Sequence, residues 1–234
     1  MEDLNHALFL WLNAPEHPST LLLAIATFFA EYAIWALPVI IGFGWLRGSE
    51  QSRKFLLEAT ASGLAGLFIN QIIGLVWQHP RPFMIGLGHT LIPHAADSSF
   101  PSDHLTLLWA VAFSFTMHRR PRMAGLALAL LGVPIAWARL YLGVHFPLDM
   151  VGAAMVAVLS AWLAFREVHV YLPNAYRLAL SVHRFLFRKL IQIGWVRISA
   201  IVDACFSVIV DGVSAPSWTR RDARKRGFNV SQAM

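Results

Sequence analysis

Seven residues whose types could do chemistry together stand in three polar clusters of an otherwise apolar chain. The first cluster is His79-Pro80-Arg81-Pro82 and the second is Phe100-Pro101-Ser102-Asp103-His104. The third runs from Arg139 through His145 to Asp149. These types suit phosphoryl transfer, which depends on positioning and on stabilising charge at the phosphoryl oxygens. Arg81 and Arg139 supply planar guanidinium forks that match phosphate bidentately. Pro101 is expected where a helix begins, because proline favours the first helical position. Ser102, Asp103 and His104 would then offer backbone N–H groups at a helix N-terminus, where free donors and dipole favour an anion. Ser102 adds a hydroxyl. Two histidines divide the remaining work, one attacking phosphorus and the other protonating the leaving oxygen. His145 and Asp149 are four residues apart across Pro147. On a helical turn they would share a face. Asp149 would then hold one imidazole nitrogen as N–H and leave the other free to attack. Taken singly, the clusters have ordinary explanations: a membrane-end anchor, a helix cap, a surface pair. Their order and common location argue for a site.

The elements that must position these clusters are membrane helices. The 234 residues suffice for one domain, with 57% apolar and only 14% charged residues and a mean hydropathy of +0.55. A soluble domain carries about 25% charged residues, so the deficit points to a lipid-exposed surface. Residues 4–12 place Leu4, Leu8, Phe9 and Leu12 on one side of a short helix suited to an interface. Five apolar runs follow, at residues 20–46, 55–77, 104–117, 123–142 and 148–165. Their lengths approach the roughly 20 residues that cross a hydrocarbon core, the third being the shortest. Residues 174–193 interleave apolar positions with Arg177, Arg184, Arg188 and Lys189, as in an amphipathic helix. Residues 198–213 are apolar but interrupted by Asp203 and Asp211, and a sixth span there is an option.

Charge sets the orientation. All but two of the 19 Lys and Arg residues fall in the first inter-span loop, the third, or the C-terminal region. The positive-inside rule places these regions in the cytoplasm. The N-terminus and the loops at 78–103 and 143–147 are then outside. The two exceptions are Arg81 and Arg139, placed against the bias and therefore expected to have a task. Cys205 is the single cysteine, so no intrachain disulfide or CxxC motif exists. No cleavable signal peptide is visible, and the first span is expected to direct insertion. The basic residues from Arg220 to Arg226 suit anionic lipid. Nothing aromatic is organised around them to suggest nucleic acid.

The pattern Arg81-Pro82, Pro101-Ser102-Asp103-His104, then Arg139, His145 and Asp149 resembles the three-part signature of the type-2 phosphatidic acid phosphatase superfamily. His94-Ala95-Ala96-Asp97, the run from Phe100 to His104, and Tyr141-Leu142-Gly143-Val144-His145 look like its undecaprenyl-diphosphatase branch, as does Gly194-Trp195-Val196-Arg197. The resemblance implies an all-α, polytopic transmembrane bundle of five or six spans. It implies His145 as nucleophile, Asp149 as its orienting partner and His104 as general acid. Arg81, Ser102, Asp103 and Arg139 would bind phosphate, with no metal and no cofactor. The implied reaction converts undecaprenyl diphosphate to undecaprenyl phosphate and phosphate, through a phosphohistidine at the outer face of the bacterial inner membrane. The partners expected are the lipid substrate and the bilayer, not nucleic acid. Residues 1–165 would form the phosphatase domain and 166–234 a basic, amphipathic cytoplasmic region. Alternatives are a phosphatase or phosphotransferase acting on phosphatidylglycerophosphate or lipid A, and a transporter that binds lipid phosphate without hydrolysis.

Three positions depart from the broad superfamily pattern. Gly74 stands where many members have Lys, Asp103 where many have Gly, and Ala138 where many have Ser. The Asp103 form fits the undecaprenyl branch. His79, Asn70 and Gln71 are candidates to compensate for the missing Lys. Glu31, mid-span, is a candidate for substrate access or a proton path. Glu58 is expected at the inner interface. Trp11, Trp45 and Trp77 are expected as interfacial anchors.

Overall fold

A computed structural model describes residues 2–192 of the chain, and every regular element among them is helical. The elements are α1 (Glu2–Leu12), α2 (Thr20–Thr27), α3 (Ala36–Arg47), α4 (Glu50–Val76), α5 (Asp103–Thr116), α6 (Arg122–Tyr141), α7 (Pro147–Arg166) and α8 (Val168–Gln192). One compact unit extends to Arg188. The possible sixth span and the segment Gly194-Trp195-Val196-Arg197 lie outside the described residues.

Residues 20–47 run as one helical segment that changes pitch midway. Ser19 caps its start, its Oγ accepting from the Leu22 amide at 3.3 Å. A π turn (Phe28–Tyr32) and a 3-10 turn (Ala33–Trp35) separate α2 from α3. Pro38 follows, and its ring has no N–H to give the carbonyl of Ile34 and crowds it. The irregular turns accommodate that loss. α4 starts at a second serine cap, Ser49.

Four segments are long and apolar enough to cross a membrane: Thr20–Arg47, Glu50–Val76, Arg122–Tyr141 and Pro147–Arg166. No more than half of each apolar window is buried within the protein. Leu64, Phe68 and Leu75 on α4, Leu130 on α6, and Met155 and Val158 on α7 face outward. Such a surface belongs in lipid, and the chain is a membrane protein. The expected third span is α5. At 14 residues it is about 21 Å long, shorter than the hydrocarbon core. It packs against α4, α6 and α7 together, with Leu105, Leu108, Val111 and Phe115 in the core. It is the bundle's axis, sheltered from lipid by three neighbours.

Small residues let those neighbours approach. A Cβ on Gly66 of α4 would lie 2.9 Å from the Thr106 methyl of α5. One on Gly152 of α7 would lie 2.3 Å from the Phe100 ring. α8 covers the expected amphipathic helix as far as Gln192 and begins several residues earlier. It buries Tyr176, Leu180 and His183, and Trp45 Nε1 donates to His183 Nδ1 at 3.2 Å. Trp45 is thus partly packed, whereas Trp11 and Trp77 are exposed. Glu58, expected at the inner interface, is enclosed by protein. It is 3% exposed and lies 2.9 Å from His118 Nε2, a pairing that a buried carboxylate needs. Glu31 is exposed, in the π turn.

Candidate active site

The start of α5, the end of α6 and the start of α7 meet at one end of the bundle, roofed by residues 77–102. That long connection is tied down by the Ser99 amide to the His79 carbonyl (2.8 Å) and the Leu91 amide to the Leu142 carbonyl (3.1 Å). Asn13, after α1, accepts from the His89 amide and donates to the carbonyls of His89 and Tyr141. Gly143 sits where the α6–α7 linker passes this roof. Its φ is +79°, and a Cβ there would meet the His89 carbonyl oxygen at 2.1 Å. Only glycine satisfies both demands.

His145 and Asp149 meet through a helix cap. α7 begins at Pro147, with Phe146 as N-cap and Asp149 at the third helical position. Asp149 Oδ2 reaches back to accept from the Phe146 amide at 2.8 Å, half of a capping box. The same oxygen lies 3.1 Å from His145 Nδ1 and accepts from Ser99 Oγ at 2.8 Å. His145 therefore precedes the helix. The expected shared helical face is replaced by a turn that brings the ring back over the cap. Pro101 also differs from expectation. α5 begins at Asp103 with Ser102 as N-cap, so Pro101 lies outside the helix. It is Pro147, on α7, that takes the first helical position.

Both guanidiniums converge on the free nitrogen of His145. Nε2 lies 3.2 Å from Arg81 Nη1 and 3.4 Å from Arg139 Nη2. An arginine can only donate, so Nε2 is the unprotonated nitrogen. Nδ1 then carries the proton and donates to Asp149. His145 is 2% exposed and Asp149 fully buried. Burial, with Arg139 and Arg81 alongside, holds the His145 imidazole well below its ordinary pKa. The ring is a neutral base with its lone pair set between two cations.

The arginines are held by carbonyls and side chains. Arg81 donates to Asp97 through Nε (2.8 Å), to the Val144 carbonyl through Nη1 (2.8 Å) and to the Ser98 carbonyl through Nη2 (3.3 Å). Arg139 Nη1 donates to the Ala30 carbonyl in the π turn at 3.1 Å, and Nη2 lies 3.1 Å from His94 Nε2. The π turn thus supplies an acceptor to the buried arginine.

A cavity of about 560 Å3 opens over this cluster, and Arg81, Asp103, His104, Arg139 and His145 line it. Ser102 does not face it directly. The residue is fully buried, its Oγ has no protein partner, and its amide donates to the Asp149 carbonyl at 3.4 Å. Asp103 Oδ1 accepts from Asn70 Nδ2 at 2.8 Å, and the same Nδ2 also donates to Thr106 Oγ1 at 3.0 Å. Asn70, Gln71, Gly74 and His79 line the cavity too. A Cβ on Gly74 would make an ordinary 3.6 Å contact with Ser98.

All seven predicted site residues therefore gather within one neighbourhood. His94, Asp97 and Ser99 also belong to the site, and no spacing in the sequence gives them a role. The phrase His94-Ala95-Ala96-Asp97 was visible only as part of a resemblance. Its partners are far away in the chain, and no local spacing exposes them.

The family model described as PAP2 superfamily matches residues 55–171. The chain is similar to the undecaprenyl-diphosphatase BcrC of Bacillus subtilis (strain 168), at 43% identity over 80% of this chain and 95% of that protein. It is similar to the putative undecaprenyl-diphosphatase YbjG of Escherichia coli (strain K12), at 36% identity over 84% of this chain and 99% of that protein. Among solved structures, Aquifex aeolicus LpxE shares the fold, with a TM-score of 0.59 and 23% identity over 70% of this chain and 95% of that one.

Proposed function

This chain belongs to the PAP2 superfamily, and from that premise we propose that it hydrolyses a lipid diphosphate, undecaprenyl diphosphate foremost, through a phosphohistidine. The observation that carries the reading is the lone pair of His145 Nε2, aimed between Arg81 and Arg139 while Asp149 holds the opposite nitrogen. A terminal phosphoryl group drawn to the two guanidiniums arrives at the nucleophile. His145 Nε2 forms the P–N bond as the bond from phosphorus to the bridging oxygen breaks. His104 protonates that oxygen, which leaves with the lipid phosphate. Water then attacks the phosphohistidine and gives its proton to His104, left neutral by the first step, so that phosphate departs and both histidines are restored. Arg81 and Arg139 neutralise the phosphoryl oxygens as charge builds. The first N–H groups of α5, including that of Asp103, add donors, and Ser102, buried behind the cavity wall, adds its unpartnered Oγ once the side chain turns toward the phosphate. Asp149 stabilises the imidazolium character that develops on His145.

A diphosphate anchored by a long prenyl chain presents its phosphates at the bilayer surface. The cavity at one end of the bundle suits that placement. We place this end outside the cytoplasm, because Arg47, Arg53, Lys54, Arg119, Arg120 and Arg122 all lie at the opposite end. The names of the two similar proteins favour undecaprenyl diphosphate over other lipid phosphates.

The test is phosphate release from undecaprenyl diphosphate by purified protein in detergent with EDTA, beside His145→Ala. The expected result is steady release by the wild type and a loss of at least about a thousandfold in the variant, as when a covalent nucleophile is removed. Binding of the lipid without release by a folded wild type would favour a transporter and overturn the proposal.

A further inference from the structure

The cavity holds more histidine than the reaction uses. His145 attacks and His104 protonates, yet His94 also lines the wall, its ring centroid 6.2 Å from that of His145. Its Nδ1 lies 3.3 Å from the Ala95 carbonyl, which can only accept, so Nδ1 carries the proton. Nε2 is therefore an acceptor for Arg139 Nη2 at 3.1 Å. In this state His94 occupies a donor that an incoming phosphate needs.

Arg139 Nη2 is shared between His94 and His145, while Nη1 serves Ala30. Arg81 already serves Asp97, Val144, Ser98 and His145. Few guanidinium N–H groups remain for the oxygens of two linked phosphates. A phosphate oxygen that takes Nη2 from His94 leaves the Nε2 lone pair facing an anion, which is repulsive. Protonation reverses this, because an imidazolium donates from both nitrogens. Burial, with Arg81 and Arg139 close by, lowers the His94 pKa in the free protein. The charge of a bound diphosphate acts in the opposite direction. The charged and titratable groups facing His94 are Arg81, Arg139, Asp97, His104 and His145.

We propose that His94 binds the second, lipid-proximal phosphate of a diphosphate substrate, changing from acceptor of Arg139 to protonated donor as the substrate enters. His145 with both arginines takes the terminal phosphoryl group, so His94 selects diphosphates over monophosphates. The proton is taken up from bulk solution through the open cavity. This inference rests on the lipid-diphosphate reading above.

The test compares the KM for undecaprenyl diphosphate with the Ki of undecaprenyl phosphate as competitor, in wild type, His94→Ala and His94→Asn. Loss of one charge-assisted hydrogen bond should raise KM about tenfold in His94→Ala, while Ki changes by less than about threefold. His94→Asn, whose amide donates without titrating, should recover part of the KM. The wild-type KM should rise with pH as imidazolium becomes harder to form, and the His94→Asn KM should lose that component. Equal changes in KM and Ki, or an unchanged KM, would overturn the assignment and leave His94 as a support for Arg139. No turnover by the wild type would overturn the functional reading first, and this inference with it. Because KM and Ki are read on the same preparation, a partly inactive variant still gives an interpretable ratio.

Discussion

His145 is poised by three contacts of opposite character. The carboxylate of Asp149 fixes its Nδ1 proton, and Arg81 and Arg139 keep its Nε2 from taking another. The sign of its pH linkage follows. Its folded pKa lies below the unfolded value of about 6.5, so the unfolded chain binds more protons as pH falls. Its contribution to stability is full above about pH 6.5 and declines below it. The melting temperature should drop between about pH 7.5 and 5.5, with a smaller drop in His145→Asn. An identical drop in both would show that His145 is not the group responsible. His104 offers a second test. A diphosphate expels a phosphate, a better leaving group than the alkoxide expelled from a monophosphate, so it depends less on a general acid. His104→Ala should therefore slow a lipid monophosphate by at least about tenfold more than a lipid diphosphate. Equal slowing would assign His104 to binding instead. The residue types and spacing around His145 were legible in the sequence because phosphate chemistry demands forks, imidazoles and an orienting acid. The contacts of Ser99 to Asp149 and of His94 to Arg139 were not, since they join residues about 50 apart across different elements.

At the scale of elements, the start of α7 couples folding to chemistry. The same Asp149 oxygen caps the helix and orients His145. The sequence suggested a helical pair, and the spacing was right for the contact. The local geometry was not legible, because proline could start either α5 or α7 and only packing decides. α1 supports the turn from outside. Phe9 is fully buried against Phe146, with ring centroids 5.2 Å apart, and Asn5 Oδ1 accepts from the Leu148 amide at 3.1 Å. The α6–α7 linker depends on Gly143. Gly143→Ala forces a side chain into a left-handed conformation and against His89. It should cost about 1–3 kcal/mol for the backbone alone and lower kcat by displacing His145. A thermal melt with an activity assay checks this, and wild-type values in both would contradict the account of the linker. The five apolar runs were readable from composition and length. That α5 is the sheltered axis was not, because its apolar residues look the same whether they face lipid or protein.

At the scale of the whole molecule, apolar flanks and a polar end divide the labour. Lipid-facing surfaces on α4, α6 and α7 hold the bundle in the bilayer, and its polar end receives charged phosphates. The proposed orientation places the roof outside and the C-terminal region in the cytoplasm. In intact cells, an impermeant maleimide should label His89→Cys in a Cys205→Ser background, since His89 is exposed on the roof. It should fail to label the natural Cys205 until the membrane is opened. The reverse pattern would invert the topology. Residues 166–234 are proposed as an accessory cytoplasmic region. Removal of residues 198–234 should leave phosphate release within about threefold of wild type, a change of under about 0.7 kcal/mol in the barrier. Loss of release by a folded, truncated protein would give the tail a direct role.

The most direct test of the central claim is to trap the covalent intermediate. Protein mixed with undecaprenyl diphosphate labelled in its terminal phosphate is quenched in base within a turnover, digested, and the label located. The account predicts an acid-labile, base-stable label on His145, absent from His145→Ala and reduced in Asp149→Asn. A label on another residue, or turnover that inverts the configuration at phosphorus with no trapped phosphohistidine, would contradict it.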